Sequence, residues 1–340
     1  MVKRKGDRTL VFPRRPAILS TASIVGPREG DGPLGDMFDV VKPDSLLGEK
    51  TWEKAEIRML QEAIELAVHK ADWGLADVQA LFCGDLLNQL ATSNYASRQF
   101  PIPFFGLYGA CSTFVEGLIL GALYVDGSYG NQVLVAASSH HDTAERQYRY
   151  PTEFGHQRPS TAQFTVSGAG AVGLGQGQGP LITHATPGQI VDQGISDVND
   201  MGSAMAPAAA DTIVAHLTDT GRGVDDYDLI ITGDLGRMGK AALLALLKQA
   251  NIDLSARLVD CGSIIYDHAA EVLSGGSGCG CIAVTFASYF YEEMQAGRAN
   301  RVLLVATGSL HSPDTIQQGE TIPGIAHAVA LENSRGGNAI

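Results

Sequence analysis

The chain repeats itself, and that repetition limits its fold more than any single motif. Adding 149 to a residue number carries Ile64 to Ile213, Gly74 to Gly223, Asp77 to Asp226 and Gly84-Asp85-Leu86 to Gly233-Asp234-Leu235, so that LADVQALFCGDL is answered by VDDYDLIITGDL. After an insertion of 21 residues the offset becomes 170. Cys111 then meets Cys281, Gly127 meets Gly297, Leu134-Val135-Ala136 meets Leu304-Val305-Ala306 and His141 meets His311. At the ends of the two halves, GAGAVGLG (168–175) parallels GIAHAVAL (324–331). A length of 340 residues exceeds what one core usually supports. Two α/β halves follow, residues 1–178 and 179–340, meeting near GLGQGQGPL (173–181). That glycine run follows a strand but opens no helix, so it reads as a turn and not as a dinucleotide fingerprint.

Within the first half, residues 17–25 read as a strand and 26–35 (GPREGDGPLG) as a glycine-rich loop. Residues 51–70 form an amphipathic helix, with Thr51 as N-cap, Glu53 in the first turn and a stripe of Ile57, Leu60, Ile64, Ala67 and Val68. Residues 78–83 are a buried strand ending at Gly84-Asp85. The stretch 104–121, FFGLYGACSTFVEGLILG, then runs from a strand that ends at Gly109 into an apolar helix that begins near Cys111. The cysteine thus sits on a tight elbow. A thiol there faces the N–H groups of a first helical turn, which favour thiolate and attract anions. The alternative is a small residue buried in a crowded turn. Parallel strands joined by helices require cover on both sheet faces. The helix after Cys111 and its counterpart after Gly278 are both apolar, so the expected architecture is five layers, α-β-α-β-α, with the two helices packed together between the sheets.

A net charge of −13 argues against nucleic acid as a partner. The basic run Lys3, Arg4, Lys5 and Arg8 is either a frayed terminus or a contact for an anionic membrane surface. Five cysteines without a CxxC pair point to a reduced compartment and no structural metal, Cys279-Gly-Cys281 being too tight for a zinc loop. No apolar run approaches the ~20 residues that span a bilayer, and no signal-like segment follows the basic terminus. The expectation is a soluble protein that stays on the side of the membrane where it is made.

A duplicated α/β unit with a cysteine elbow before a central helix resembles the thiolase fold. Gly109-Ala110-Cys111-Ser112 is similar to the nucleophile motif of ketoacyl-ACP synthase III and its relatives. In that superfamily a histidine after the strand equivalent to 229–232, and an asparagine or histidine at the second central helix, attend the cysteine. Here Gly233-Asp234 stands at the first place, and SGGSGCGCIAVTFAS (274–288) holds neither residue at the second. Losing one oxyanion donor costs ~10²–10³ in rate. A carboxylate at Asp234 would also repel the oxyanion and raise the thiol's pKa. Over nearly its whole length the chain resembles the stage V sporulation protein AD family, through GPREGDGPLG (26–35), GDLLNQ (84–89), GACST (109–113), SSHHDTAERQYRYPTEFG (138–155), DMGSAMAPAAADTI (200–213), GGSGCGC (275–281) and QQGETIPGIAH (317–327). The resemblance implies a non-enzyme without cofactors that binds dipicolinic acid, alone or as its calcium chelate. It implies a peripheral place in the SpoVA assembly, with other SpoVA membrane subunits, at the forespore and spore inner membrane, for uptake in sporulation and release in germination. Superfamily resemblance suggests a homodimer through the sheet edge near Val133, or another partner at that edge. The alternative is an acyltransferase that uses Cys111.

Dipicolinate is a flat dianion, so its seat needs cationic or N–H donors and apolar walls. Candidates are Cys111 and Ser112 at the helix N-terminus, His140, His141, Arg146 and Arg149 after the strand 133–137, Arg98 on a helix predicted over 94–100, and His311. Each arginine taken singly reads first as a solvated or salt-bridged surface residue. Asp85 and Asp234, related by the repeat, either cap the following segments or coordinate a calcium brought by the ligand. Tyr148 and Tyr150 could stack on a pyridine ring, and Cys279 and Cys281 permit close helix packing.

Overall fold

In the computed structural model, residues 3–148, 158–266 and 272–333 are described. Thr51 caps the helix Trp52–Lys70 by accepting the Lys54 N–H at 3.3 Å, as its residue type predicts. The buried stripe of that helix runs through Ala55, Met59, Leu60, Ala63, Ile64 and Ala67, leaving Ile57 at its margin. Strands form where predicted, at Ala17–Val25, Ala80–Gly84, Gln132–Ser139 and Gly168–Gly175, and in the second half at Leu229–Thr232, Arg301–Ser309 and Gly324–Glu332; Leu181–Thr186 is a further strand.

The strand order displays the duplication. It runs Leu258–Asp260, Leu229–Thr232, Arg301–Ser309, Gly324–Glu332, Leu181–Thr186, then Ala17–Val25, Gly168–Gly175, Gln132–Ser139, Ala80–Gly84 and Phe104–Gly106. Each strand of the first half occupies the mirror position of its repeat partner in the second. The two central strands, Ala17–Val25 and Leu181–Thr186, join by one antiparallel register pair, Leu181 opposite Ala17. The chain crosses between them after Gly168–Gly175, where the glycine run makes the turn.

Three buried clusters separate the layers. The central one holds Phe114, Val115 and Leu118 of the helix Thr113–Asp126 together with Ile282, Val284 and Phe286, which begin in the helix Cys279–Thr285. The rings of Phe114 and Phe286 meet at 6.0 Å. A second cluster lies between the first half-sheet and Trp52–Lys70, and a third between the second half-sheet and the helices Met201–Thr220 and Gly236–Gln249. This is the five-layer α-β-α-β-α arrangement. Among the described residues no helix is long and apolar enough to cross a membrane.

Four expectations change. The basic terminus is not frayed: Arg4–Lys5 pairs with Thr9–Val11, which pairs in turn with Leu181–Thr186. Asp219 accepts the N–H groups of Asp7, Arg8 and Thr9 at 2.9–3.0 Å, and Arg8 reaches Asp211 at 2.7 Å. The strand containing Val133 is no edge, since it lies between Gly168–Gly175 and Ala80–Gly84; the edge of that half-sheet is Phe104–Gly106. The glycine-rich loop contains two short helical turns, Pro27–Gly30 and Gly35–Met37. The helix predicted over 94–100 spans Ala91–Ser97.

Candidate functional site

The elbow is built locally. Ala110 adopts φ +50°, a left-handed conformation that a residue with a Cβ enters only when its surroundings hold it there. The holding bonds are short and mutual. Ser112 donates its N–H (3.0 Å) and its hydroxyl (2.7 Å) to the Gly109 carbonyl. The Thr113 hydroxyl donates to the Ala110 carbonyl at 2.7 Å and accepts the Gly109 N–H at 3.0 Å. From the second half, Gly308 presses on this turn so closely that a Cβ there would lie 2.3 Å from the Gly109 carbonyl oxygen. Gly308→Ala is therefore expected to lower stability by about 2 kcal/mol or more, read as a fall in melting temperature. A wild-type melting curve would show that the elbow yields.

These bonds also correct the expectation of an open anion seat at the helix start. The N–H groups of Ser112 and Thr113 are turned onto the carbonyls of Gly109 and Ala110. The thiol is no ready thiolate either. Cys111 is only 6% exposed, and burial, then the charge of Asp234, push its pKa well above that of a free thiol.

Asp234 is the second element of the site. It follows Leu229–Thr232 and is buried. Its carboxylate accepts the Thr307 hydroxyl at 2.8 Å, the Ser277 hydroxyl at 3.1 Å and the Gly278 N–H at 3.0 Å. Three donors from two different segments thus converge on one acid beside the thiol; Ser277 Oγ itself lies 4.0 Å from Cys111 Sγ. Burial raises the Asp234 pKa while these bonds oppose it, which draws the group toward its neutral acid.

Above the thiol is a cavity of about 30 Å³, on the scale of one or two waters. Its walls include Tyr108, Tyr148, Ser277, Ser309, Met201 and His311. The Tyr148 hydroxyl donates to the Leu86 carbonyl, and its ring lies 5.3 Å from that of His311. Glu145, also on the wall, pairs with Arg158 at 3.1 Å.

Of the residues singled out from sequence, Cys111, Ser112, Asp234, Tyr148 and His311 come together here. The others do not. Asp85 turns its carboxylate onto the N–H groups of Leu87 (2.8 Å) and Ser93 (2.7 Å) and the Ser93 hydroxyl (2.6 Å), a capping geometry. His140 is buried, with Nε2 against the Ser45 carbonyl at 2.8 Å and Nδ1 accepting the Asp142 N–H at 3.3 Å, and burial lowers its pKa. It is a neutral imidazole facing the outer layer. The His141 ring stacks on Phe164 at 3.6 Å. Arg146 pairs with Glu53 and lies over Trp52, and Arg98 lies over Tyr95. Arg149 and Tyr150 fall outside the described residues. Cys279 donates its thiol to the Ser138 carbonyl at 2.9 Å, and Cys281 faces the Gly233 carbonyl at 3.5 Å; both are packing contacts within the central layer. Among the described residues no group of three or more His, Cys, Asp or Glu side chains could hold a metal ion. Tyr108, Ser277, Thr307 and Met201 were not foreseen. Ser277, immediately before the second elbow at Gly278, was the one with a positional signal.

Compared with solved structures, the chain matches OleA of Xanthomonas campestris with a TM-score of 0.62 and 15% identity, over 95% of this chain and 99% of that one. It matches 3-oxoacyl-[acyl-carrier-protein] synthase III of Aquifex aeolicus VF5 with a TM-score of 0.58 and 13% identity, over 93% and 99% respectively. The chain has the thiolase-like fold. The family described as Stage V sporulation protein AD matches residues 6–332. Stage V sporulation protein AD of Bacillus subtilis (strain 168) is 46% identical over 336 residues, 98% of this chain and 99% of that protein. The chain belongs to the stage V sporulation protein AD family.

Proposed function

We propose that this sporulation protein is a binding subunit and not an acyltransferase. Its ligand is dipicolinate, alone or as the calcium chelate, held in the pocket above Cys111. Its setting is the SpoVA assembly at the spore inner membrane, with the membrane subunits of that assembly as partners, for uptake in sporulation and release in germination. A homodimer, as the superfamily resemblance suggests, belongs to the same reading. The observation that carries it is Asp234. Acyl transfer needs an activated thiolate and donors aimed at a developing oxyanion. Here an acid stands against the thiol and draws the Ser277, Gly278 and Thr307 donors to itself. The hydroxyl-lined cavity suits carboxylate oxygens, and a neutral Asp234 would lessen their repulsion.

Calorimetry with dipicolinate, with and without calcium, is expected to give heat that is lost in a folded Cys111→Asp variant, because the new charge occupies the anion's seat. No heat from folded wild-type protein at millimolar ligand would sink the proposal. The acyltransferase reading keeps one observation in its favour, a cysteine held on a strained elbow. It predicts an acyl adduct by intact mass after incubation with acyl-CoA thioesters, absent in Cys111→Ala. The binding reading predicts an unmodified mass.

A further inference from the structure

The cavity above Cys111 has room for about one or two waters, far less than a pyridine dicarboxylate needs. Among the described residues that line it, Tyr108 is the exposed one. Tyr108 lies between the edge strand Phe104–Gly106 and the elbow, is 43% exposed, and lines the cavity. Its hydroxyl meets that of Tyr148 at 2.8 Å. Tyr148 gives its own proton to the Leu86 carbonyl, so Tyr108 is the donor between the two phenols. The two rings are held differently. Tyr148 packs beside His311 on one side and is tied to Leu86 on the other. Among the described residues the Tyr108 hydroxyl bonds the Tyr148 oxygen alone, and its ring already faces water.

We propose that Tyr108 is the access residue of the pocket: rotation of its side chain into solvent, breaking the Tyr108–Tyr148 bond, opens the space above Cys111 to a small planar acid. The donor arrangement favours that motion. A withdrawn Tyr108 hydroxyl exchanges its partner for water, at small net cost. The Leu86 carbonyl also accepts Gln147 Nε2 at 3.0 Å, so Tyr148 can turn its proton to an incoming carboxylate without leaving that carbonyl bare. Tyr108 is thus the moving leaf and Tyr148 the fixed one that greets the ligand. The identity of the acid rests on the dipicolinate reading; the opening does not.

Two measurements separate the proposals. The first is methylthiolation of Cys111 by methyl methanethiosulfonate, which forms the methyl disulfide and releases methanesulfinate, in the folded full-length protein, followed by intact mass and peptide mapping. Tyr108→Phe removes only the hydroxyl and is expected to label Cys111 about fivefold faster, a factor matching the loss of one neutral hydrogen bond from the closed state. Tyr108→Ala should be faster still. Cys83, Cys261, Cys279 and Cys281, all buried, should label at wild-type rates, which distinguishes pocket opening from general unfolding. The second is stopped-flow association of dipicolinate, expected to quicken in the same proportion. Faster labelling without dipicolinate binding would keep the access role and discard the ligand. Wild-type labelling rates in both variants would overturn the access role, whatever the ligand does. Acceleration spread over all five cysteines would overturn it too.

Discussion

Between pH 6.5 and 8 the protein is expected to lose about 2 kcal/mol of stability, and Glu56→Gln to remove most of that loss. Glu56 lies on the buried face of Trp52–Lys70, its oxygens accepting the Ser138 hydroxyl at 3.0 Å and the Thr143 hydroxyl at 2.9 Å. Its neighbours are hydroxyls and a second carboxylate, Asp85. Burial first, then the Asp85 charge, raise its pKa from 4.5 to about 8. A carboxyl whose folded pKa lies above its unfolded value destabilises the fold as pH rises between the two, about 1.4 kcal/mol per unit. The histidines act in the opposite sense. Burial lowers His216 to about 3 and His184 and His327 to about 4, so their contribution is complete above pH 6.5 and is lost as pH falls below it. The two limbs oppose one another from pH 4.5 to 6.5. Above 6.5 only the carboxyl limb remains, which is why the Glu56 slope is read there. Urea unfolding of wild type and Glu56→Gln across pH 6–9 measures it. The variant should be flatter and, at pH 8.5, the more stable of the two. A slope equal to that of wild type would assign the alkaline limb to other buried acids, Glu29 and Asp234 first, since burial raises both.

Much of this architecture is legible in the chain because a duplication turns one reading into two. The offset that carries Gly84-Asp85 onto Gly233-Asp234 carries Ala80–Gly84 onto its mirror strand Leu229–Thr232, and the later offset of 170 carries Gln132–Ser139 onto Arg301–Ser309. The elbow was legible for a local reason: glycine, alanine and hydroxyl residues between an apolar run and an apolar helix have few other ways to turn. The closure of that elbow on itself was legible in principle too, since Ser112 and Thr113 are residue types that bond nearby backbone. Helix propensity alone hid it. The edge strand was misplaced because Phe104–Gly106 has only three residues, while the run through Val133, apolar on both faces, says nothing about which neighbour flanks it. The remaining misses are contacts across long separations. Asp219 captures amides more than 200 residues away, and Ser277 and Thr307 reach Asp234 only when the half-sheets close on the central helices. No spacing rule encodes such distances. They are set by packing, and they decide what the cysteine can do.

Replacing Asp234 should have the largest effect on the site itself. Asp234→Ala leaves two hydroxyls and the Gly278 N–H facing a buried gap. The hydroxyls can rotate to other acceptors, but the amide cannot, so a loss of about 3 kcal/mol is expected in chemical unfolding. Asp234→Asn keeps the volume and one acceptor oxygen while deleting the charge, and is expected to fold. Its value lies in the thiol. The Asp234 charge stands directly after burial among the forces that raise the Cys111 pKa. Without it, the pH midpoint of Cys111 alkylation should move down, with labelling near neutral pH several-fold faster. Because the midpoint and not the absolute rate is compared, slow entry past Tyr108 does not disguise the shift. A midpoint unchanged from wild type would mean that Asp234 is already a neutral acid and that burial alone suppresses the thiolate. In that case the acid at this position acts on an acyl substrate by removing donors from the oxyanion, and restoring chemistry would require freeing Gly278 and Ser277 before activating the cysteine.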